Sequence, residues 1–259
     1  MIIDFKKYSS VKIGPQKEVK ILDEKQDFEG FIIGGANNIL ISDNAKNLAL
    51  LGKNFDYIKI VEKNKEFIIL DIGCASKSST IYKFAKENNI KGFEFLVKIP
   101  GLLGGLLKMN AGLKDENISK YLINIDLADK TLQKEDVNFD YRFNPINKVM
   151  FSAKFKLFFG FDNEKNELLK NARNNQPSGA SFGSIFKNPK GDFAARLIEK
   201  VGLKGFSKND AKISDKHANF LINTKNASFD DAMYLINLAQ KRVFEEFGIL
   251  LEKEVVILD

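Results

Sequence analysis

The segment Gly183-Ser184-Ile185-Phe186-Lys187-Asn188-Pro189 sets a hydroxyl, an ammonium and an amide in one short strand-like stretch. A hydroxyl can pass a proton, an ammonium can hold an anion, and an amide can donate and accept at once. Two other side chains have comparable scope. Arg142, in Tyr141-Arg142-Phe143 between apolar segments, can pair a carboxylate bidentately or close a structural salt bridge. Glu254 alternates with apolar neighbours between Leu250 and Val256, a pattern that leaves it facing either solvent or a site. An overlapping pattern, Gly179-Ala180-Ser181-Phe182-Gly183, fits the G-x-S-x-G nucleophile elbow, with Asp210 or Asp215 and then His217 following in hydrolase order. The context argues against it. An elbow needs a buried strand before the serine and a helix after it, whereas Ser181 follows a polar, Pro-containing linker and precedes an apolar strand. His217 reads instead as a half-buried hydrogen-bonding residue.

Glycine-rich turns let a backbone approach a phosphate closely and present its N–H groups. No glycine opens G-x-G-x-x-G or G-x-x-x-x-G-K, so the Rossmann and P-loop fingerprints are both missing. Two other small-residue turns are present. Gly34-Gly35-Ala36-Asn37-Asn38 lies between apolar pieces, and Ile99-Pro100-Gly101-Leu102-Leu103-Gly104-Gly105 is followed by Met109-Asn110-Ala111-Gly112. Each alone is compatible with a tight turn. Both in one chain, flanked by buried-looking strands, favour a pyrophosphate cradle.

These residues need a scaffold, and the chain has material for one. At 259 residues and 44% hydrophobic composition it can form one large domain or two to three small ones. Cys74 and His217 are the only residues of their types, which excludes a disulfide framework and a Cys/His zinc site, so no metal is expected. The net charge of +6 is spread from Lys6 to Lys253 among 34 acidic residues, which suits small polyanions and not a nucleic-acid stripe. No apolar run is long enough to span a membrane, and Asp4, Lys6 and Lys7 interrupt any signal-peptide core. A soluble, cytoplasmic monomer is expected. Strand patterns occur at Phe31–Ile33, Ile39–Ile41, Tyr57–Val61, Phe67–Ile72, Tyr121–Ala128, Val149–Phe159, Asn219–Ile222 and Ile249–Leu258. One helix is expected after a Ser78 or Ser79 cap, ending before Gly92. A second is expected behind an Asp192 cap, with Phe193, Leu197, Ile198 and Val201 inward and Gly202 at its end. A third runs from Phe229 to Phe247 behind a Ser228-x-x-Asp231 capping box. Strands and helices do not alternate strictly, which points to α+β, and the loop-like stretch Asn171–Gly183 marks a boundary.

Taken in order, Tyr8–Gly14, the Gly34–Ile41 turn, Gly101–Gly112, Tyr141-Arg142, Ser184 to Pro189, Leu197-Ile198-Glu199, Gly202 to Gly205, Ser214 to Phe220 and Phe247 to Val255 resemble the MurB family of UDP-N-acetylenolpyruvoylglucosamine reductases. The resemblance covers nearly the whole chain and is strongest from Ser184 onward. It implies an α+β protein with an FAD-binding module of the vanillyl-alcohol-oxidase type, followed by a substrate domain. Residues 1–52 and 53–170 would be two FAD-binding subdomains, 176–247 the substrate domain, and 248–259 a terminal strand returning to the site. The implied reaction is NADPH-dependent, FAD-mediated reduction of UDP-N-acetylglucosamine enolpyruvate to UDP-N-acetylmuramate in peptidoglycan synthesis. Ser184 would protonate the enol while Arg142 and Glu254 polarise the substrate carboxylate. FAD would meet Gly34, Gly35, Ala36, Asn37, Asn38, Ile39, Ile99, Pro100, Gly101, Gly104, Gly105, Asn110, Ala111 and Gly112, and the substrate would meet Tyr141, Lys187, Asn188, Lys212 and His217. Three departures lie around the expected FAD phosphates: Lys98 stands where Gly is usual, Leu106 where a small residue is usual, and Ala36-Asn37 where Gly-Ser is usual. The short stretch between Arg142 and Ser184 implies the compact subclass.

Overall fold

Strand Phe67–Gly73 buries alternate side chains, Ile68, Leu70 and Ile72, and its antiparallel neighbour Ser152–Phe159 buries Ala153, Phe155 and Leu157. Register pairs Ile72 with Ala153, Leu70 with Phe155 and Ile68 with Leu157, so one face of the ladder is apolar by construction. The computed structural model describes residues 1–259, and in it this ladder is the centre of a six-stranded sheet. Thr131–Gln133 and Leu122–Asp126 lie on one side, Ile58–Lys63 closes the other, and Ile90–Lys91 pairs with Ser152–Phe159 off the main path. Every pairing in this sheet is antiparallel, so it needs no helical crossover between neighbouring strands.

The helices in chain order are α1 (Phe5–Tyr8), α2 (Ser78–Glu87), α3 (Leu103–Lys108), α4 (Asn163–Ala172), α5 (Ala194–Lys200) and α6 (Phe229–Phe247). None is long and apolar enough to cross a membrane. The chain divides into two units: residues 1–18, 36–46 and 174–259 form one, and residues 19–35 and 47–173 the other.

In the unit holding 47–173, Ile81 and Ala85 of α2 and Leu103, Leu106 and Leu107 of α3 pack on the apolar face of the large sheet. A separate parallel sheet runs Lys20–Leu22, Leu48–Leu51, Phe31–Ile32, with Leu22, Ala49, Phe55 and Phe151 in its core. In the unit holding 174–259, α6 buries Ala232, Leu235, Ile236, Ala239 and Val243 along one stripe. Ser228 accepts from the Asp231 N–H and the Asp231 carboxylate accepts from the Ser228 N–H, while Gly248 ends the helix in the left-handed conformation at φ 65°. The antiparallel strands Ser207–Lys208, Ala211–Ile213 and Leu221–Asn223 form this unit's sheet, and Val256–Leu258 runs parallel to Ile39–Ile41.

Several expectations need correction. Neither Ser78 nor Ser79 caps α2: Lys77 occupies the cap position, and the Ser78 hydroxyl donates to the Ile99 carbonyl at 2.5 Å. Asp192 does not cap α5: Phe193 occupies the cap position with no side-chain cap bond, the Asp192 carboxylate pairs with Arg196, and Phe193, 66% exposed, is lost from the expected inward stripe. The strand pattern at 249–258 forms a strand only at Val256–Leu258. The short α1, and α3 and α4, have no counterpart in the sequence patterns; for the last two, the reason is composition. Helix α3 has two glycines in six residues, and α4 buries only Leu169 and Asn166, too few apolar positions for a periodic signal.

The departures from the family pattern acquire a backbone meaning. Lys98 (φ 57°) and Ala36 (φ 46°) both sit in the left-handed region, where Gly is free and an L side chain is strained. Lys98 is exposed, so a Lys98→Gly variant relieves that strain without leaving a cavity. Left-handed strain is worth about 1–2 kcal/mol, and the extra chain entropy of Gly takes back roughly half. The expected net gain is about 0.5–1 kcal/mol, a rise of about 1–4 °C in Tm by calorimetry. An unchanged or lowered Tm would show that the Lys98 side chain stabilises the turn by more than its strain. Leu106 points into the core with only 4% exposure, so its bulk is absorbed there.

Candidate functional site

Ser184 is the first residue of a segment gripped from two sides. It bridges Phe220, and the next residue's N–H, Ile185, donates to the Asn219 carbonyl at 2.9 Å. The Asn219 side chain is buried and makes a two-point contact with Phe186: its Oδ1 accepts from the Phe186 N–H at 2.9 Å and its Nδ2 donates to the Phe186 carbonyl at 2.7 Å. On the other side Phe186 bridges Lys253, Lys187 N–H donates to the Glu252 carbonyl at 2.9 Å, and Glu254 N–H donates to the Ile185 carbonyl at 2.8 Å. Seventy residues of sequence separate Ser184 from Glu254, yet backbone pairing of Ile185 with Glu254 and of Phe186 with Lys253 brings their segments side by side, and both residues are half-buried. Gly183 (φ 88°) turns the chain into this segment, and a Cβ there would meet nothing within 4 Å. No helix follows Ser181, whose hydroxyl accepts from the Gly183 N–H at 3.2 Å, so the hydrolase elbow is absent.

Asn38 extends the same patch. Its Nδ2 donates to the Glu254 carbonyl at 2.9 Å and its own carbonyl accepts from Val256 N–H at 3.0 Å, while Ile39 pairs with Val256. Ala36 is buried, and its carbonyl accepts from Ser10 N–H at 3.2 Å; Asn37 is half-buried. Among the expected substrate contacts, Lys187 pairs with Glu252 at 2.5 Å and Lys212 with Asp215 at 2.6 Å. Asn188 is exposed, its Oδ1 accepting from Ala194 N–H at the start of α5 at 3.1 Å. His217 stacks edge-on against Phe220, ring centroids 4.9 Å apart, and its Nδ1 accepts from Asn219 N–H at 3.3 Å. Burial lowers the His217 pKa below its ordinary value, which favours the neutral ring whose Nδ1 can accept.

Arg142 belongs to the other unit. It occupies a turn closed by reciprocal Asp140 and Phe143 backbone hydrogen bonds of 3.1 Å, with φ 54°. Its Nη2 donates to the Gly112 carbonyl at 3.2 Å, and its guanidinium lies 5.1 Å from the ring centre of exposed Tyr141. Gly112 is demanded by its hairpin: a Cβ would fall 2.2 Å from the Glu116 carbonyl oxygen. Sequence reasoning missed Arg173, the C-cap of α4, because it sits in the polar stretch before Pro177 that reads as linker. Burial, and then the like charge of Arg142, lower its pKa. Two guanidiniums within electrostatic reach of each other make this part of the unit receptive to an anion.

The glycine-rich stretch 99–112 and the Gly34 turn, also in this unit, offer bared backbone of the kind a flavin dinucleotide requires. Ser78 N–H donates to the Gly101 carbonyl at 2.9 Å, Leu103 N–H to Ser76 and Gly104 N–H to Cys74, both at 2.9 Å, which fixes the start of α3. Gly104 packs against Cys74, where a Cβ would come within 3.3 Å, whereas Gly105 and Gly34 (φ 49°) face open space. Backbone bared in this way admits close approach of a phosphate. Asn110 is buried with φ 38°; its Nδ2 donates to the Asp140 carbonyl at 3.0 Å, and its Oδ1 is buried with no donor in the protein. An orphaned buried acceptor is costly unless a ligand supplies the donor. Ile99, Gly101, Ala111 and Gly112 are half-buried and Pro100 is exposed along the same stretch. These residues fit the group.

The α+β fold is shared with a solved protein. The crystal structure of UDP-N-acetylenolpyruvylglucosamine reductase from Thermus caldophilus superposes with a TM-score of 0.83 over 100% of this chain and 98% of that one, at 24% identity. A model of the UDP-N-acetylenolpyruvoylglucosamine reductase C-terminal domain matches residues 175–258, the stretch that carries Ser184, Asn219 and Glu254. The curated enzyme of that name from Campylobacter jejuni strain RM1221 is 68% identical with 100% of both chains covered, and that of Helicobacter hepaticus is 46% identical over 99% of this chain and 98% of the relative. The chain therefore belongs to the UDP-N-acetylenolpyruvoylglucosamine reductase family and is an oxidoreductase.

Proposed function

We propose that the protein reduces UDP-N-acetylglucosamine enolpyruvate to UDP-N-acetylmuramate for peptidoglycan synthesis, using FAD and NADPH. The observation that supports this most is the pairing of the Ser184 segment with the Glu254 segment inside the part of the chain that the family domain matches. In this reading residues 1–52 and 53–170 supply the flavin-binding module, 176–247 the substrate domain, and 248–259 returns Glu254 to the site. FAD held by the module would, once reduced by NADPH, supply the hydride for the enolpyruvyl methylene carbon.

The chain's own residues handle the rest. Hydride addition leaves negative charge on the carbon next to the substrate carboxylate and spread into that carboxylate. Arg142 and Glu254 polarise the carboxylate as the charge develops, and Arg173 adds positive potential beside Arg142. Ser184 donates its hydroxyl proton to that carbon, so hydride and proton together saturate the double bond. A serine hydroxyl is a weak acid, which makes position its main asset: the clasp of Asn219 and the 252–254 backbone holds it in line. Gly34, Gly35, Ala36, Asn37, Asn38, Ile39, Ile99, Pro100, Gly101, Gly104, Gly105, Asn110, Ala111 and Gly112 would hold the flavin dinucleotide. Tyr141, Lys187, Asn188, Lys212 and His217 would meet the nucleotide sugar, the two lysines by giving up Glu252 and Asp215 for its phosphates. Both of those carboxylates are well exposed, so such an exchange costs little.

A visible absorbance spectrum tests the reading. The purified protein is expected to carry or take up FAD, to bleach under anaerobic NADPH, and to recover its colour on addition of the enolpyruvyl nucleotide sugar. Failure to take up FAD, or bleached flavin that the nucleotide sugar does not recolour, would overturn it.

A further inference from the structure

Lys108 ends α3, beside the glycines proposed to face the flavin, but its ammonium turns away from them. Nζ is part-buried and donates to the Ile146 carbonyl at 2.6 Å, to Asn147 Oδ1 at 3.2 Å and to the Asn144 carbonyl at 3.3 Å. An ammonium has three N–H donors, and all three have an acceptor here. The lysine is thus spent on holding the 144–147 loop and has nothing left for a phosphate. The grip is mutual: Asn144, itself buried, donates from Nδ2 to the Leu107 carbonyl at 3.0 Å, and its Oδ1 accepts from Ile146 N–H at 2.8 Å.

On the other flank, two residues further along the chain from Lys108, Asn110 donates to the Asp140 carbonyl at 3.0 Å. The C-terminal end of α3 therefore holds both ends of the stretch 140–146, and Arg142 stands between the two anchors. Such holding is needed, because Arg142 sits at φ 54°. A non-glycine residue keeps a left-handed conformation, at a cost of about 1–2 kcal/mol, only where the surroundings over-determine it. Burial lowers the Lys108 pKa below the ordinary lysine range, as expected of an ammonium whose surroundings supply carbonyl dipoles and no carboxylate.

We infer that Lys108 is a positioning residue: by clamping the 144–147 loop to the end of α3, it fixes the strained Arg142 turn in the orientation that the reduction of the enolpyruvyl group requires. This rests on the functional reading above, in which Arg142 polarises the substrate carboxylate. The clamp acts mainly on the second half-reaction, since Gly101, Gly104 and Gly105 precede Lys108, the Gly101 carbonyl accepts from Ser78 N–H and Gly104 N–H donates to the Cys74 carbonyl, bonds that Lys108 does not share.

The test compares wild type with Lys108→Met, which keeps the length of the side chain and removes its donors, and with Lys108→Arg, which restores them. Three quantities are read in each: amide hydrogen exchange across 140–147 in the apoprotein, flavin affinity with the rate of bleaching by NADPH, and the rate at which the enolpyruvyl substrate recolours the reduced enzyme. In Lys108→Met the amides of 140–147 are expected to exchange at least about tenfold faster and recolouring to slow about ten- to a hundredfold, the range for a misplaced catalytic group. Flavin affinity and bleaching stay within about twofold of wild type, and Lys108→Arg recovers most of the lost rate. Should Lys108→Met fold poorly, Asn147→Ala removes one acceptor at an exposed position and is expected to shift the same two readouts in the same direction by less. Unchanged exchange, an unchanged recolouring rate, or equal loss in both half-reactions without recovery by Lys108→Arg would each overturn the inference. If the wild-type enzyme is not recoloured by the substrate, the functional reading falls, while the exchange data still decide whether the clamp exists.

Discussion

Ser184→Ala is expected to bind FAD and to be bleached by NADPH as the wild type is, but to be recoloured by the enolpyruvyl nucleotide sugar about 10²–10⁴ times more slowly, the span that a positioned proton donor contributes. The split follows from where the side chain sits. Ser184 is half-buried and its backbone bridges Phe220, and the clasp beyond it is made by the backbone of Ile185, Phe186 and Lys187. Removal of one hydroxyl therefore leaves the segment standing and takes away only the proton. Stopped-flow absorbance resolves the two half-reactions in one preparation. Ser184→Cys, with a more acidic but larger and longer-bonded donor, is expected to fall between the two, because position counts for more than acidity here. Recolouring of Ser184→Ala at the wild-type rate would move the proton donor elsewhere. Equal slowing of both half-reactions would make Ser184 a structural residue.

The sequence shows long periodic elements well and short or polar ones badly, for identifiable reasons. Phe67–Gly73 and Ser152–Phe159 alternate cleanly because one face of each lies on a core, and α6 carries a capping box, an apolar stripe and a terminal glycine that all agree. Helix α4 hides because its buried face includes Asn166, which accepts from the Tyr82 hydroxyl at 3.0 Å, a polar contact that looks like surface when only residue type is read. The candidate site shows the same divide. Ser184, Arg142 and Glu254 stand out by type and by resemblance, but a backbone pairing that joins Phe186 to Lys253 across so long a stretch of chain has no local signature. Arg173 lay inside a stretch whose Asn, Gln, Pro and Ser composition reads as linker. Lys108, as the last residue of a helix, reads as an ordinary complement to the helix dipole until its three acceptors are seen. Lys98 and Ala36 were visible as unusual residues, whereas the reason a glycine suits those places lies in a backbone angle.

Asn219 carries the largest expected effect on stability, and no property of its residue type announces it. Its side chain closes a two-point hydrogen-bonded contact with fully buried Phe186, at 2.9 and 2.7 Å. Truncation in Asn219→Ala strands a buried N–H and a buried carbonyl together, at about 1–3 kcal/mol each. A loss of about 2–5 kcal/mol is expected by denaturant titration, with a fall of roughly 5–15 °C in Tm. Recolouring by the substrate should also slow well below the melting range, because the freed segment includes Ser184. Asn219→Asp separates geometry from charge. As a carboxylate it still accepts from Phe186 N–H but faces the Phe186 carbonyl with a lone pair, and burial raises its pKa in the folded protein above its unfolded value. The neutral acid can both accept and donate, so the native state takes up the proton more readily than the unfolded chain. The stability of Asn219→Asp relative to wild type is therefore expected to be greatest at acid pH and to be lost as pH rises through the raised folded-state value. A deficit independent of pH would mean that water or a neighbouring donor already satisfies the Phe186 carbonyl, and a melting point for Asn219→Ala within about 2 °C of wild type, less than 1 kcal/mol in a chain of this size, would mean that the 252–254 backbone holds the Ser184 segment alone.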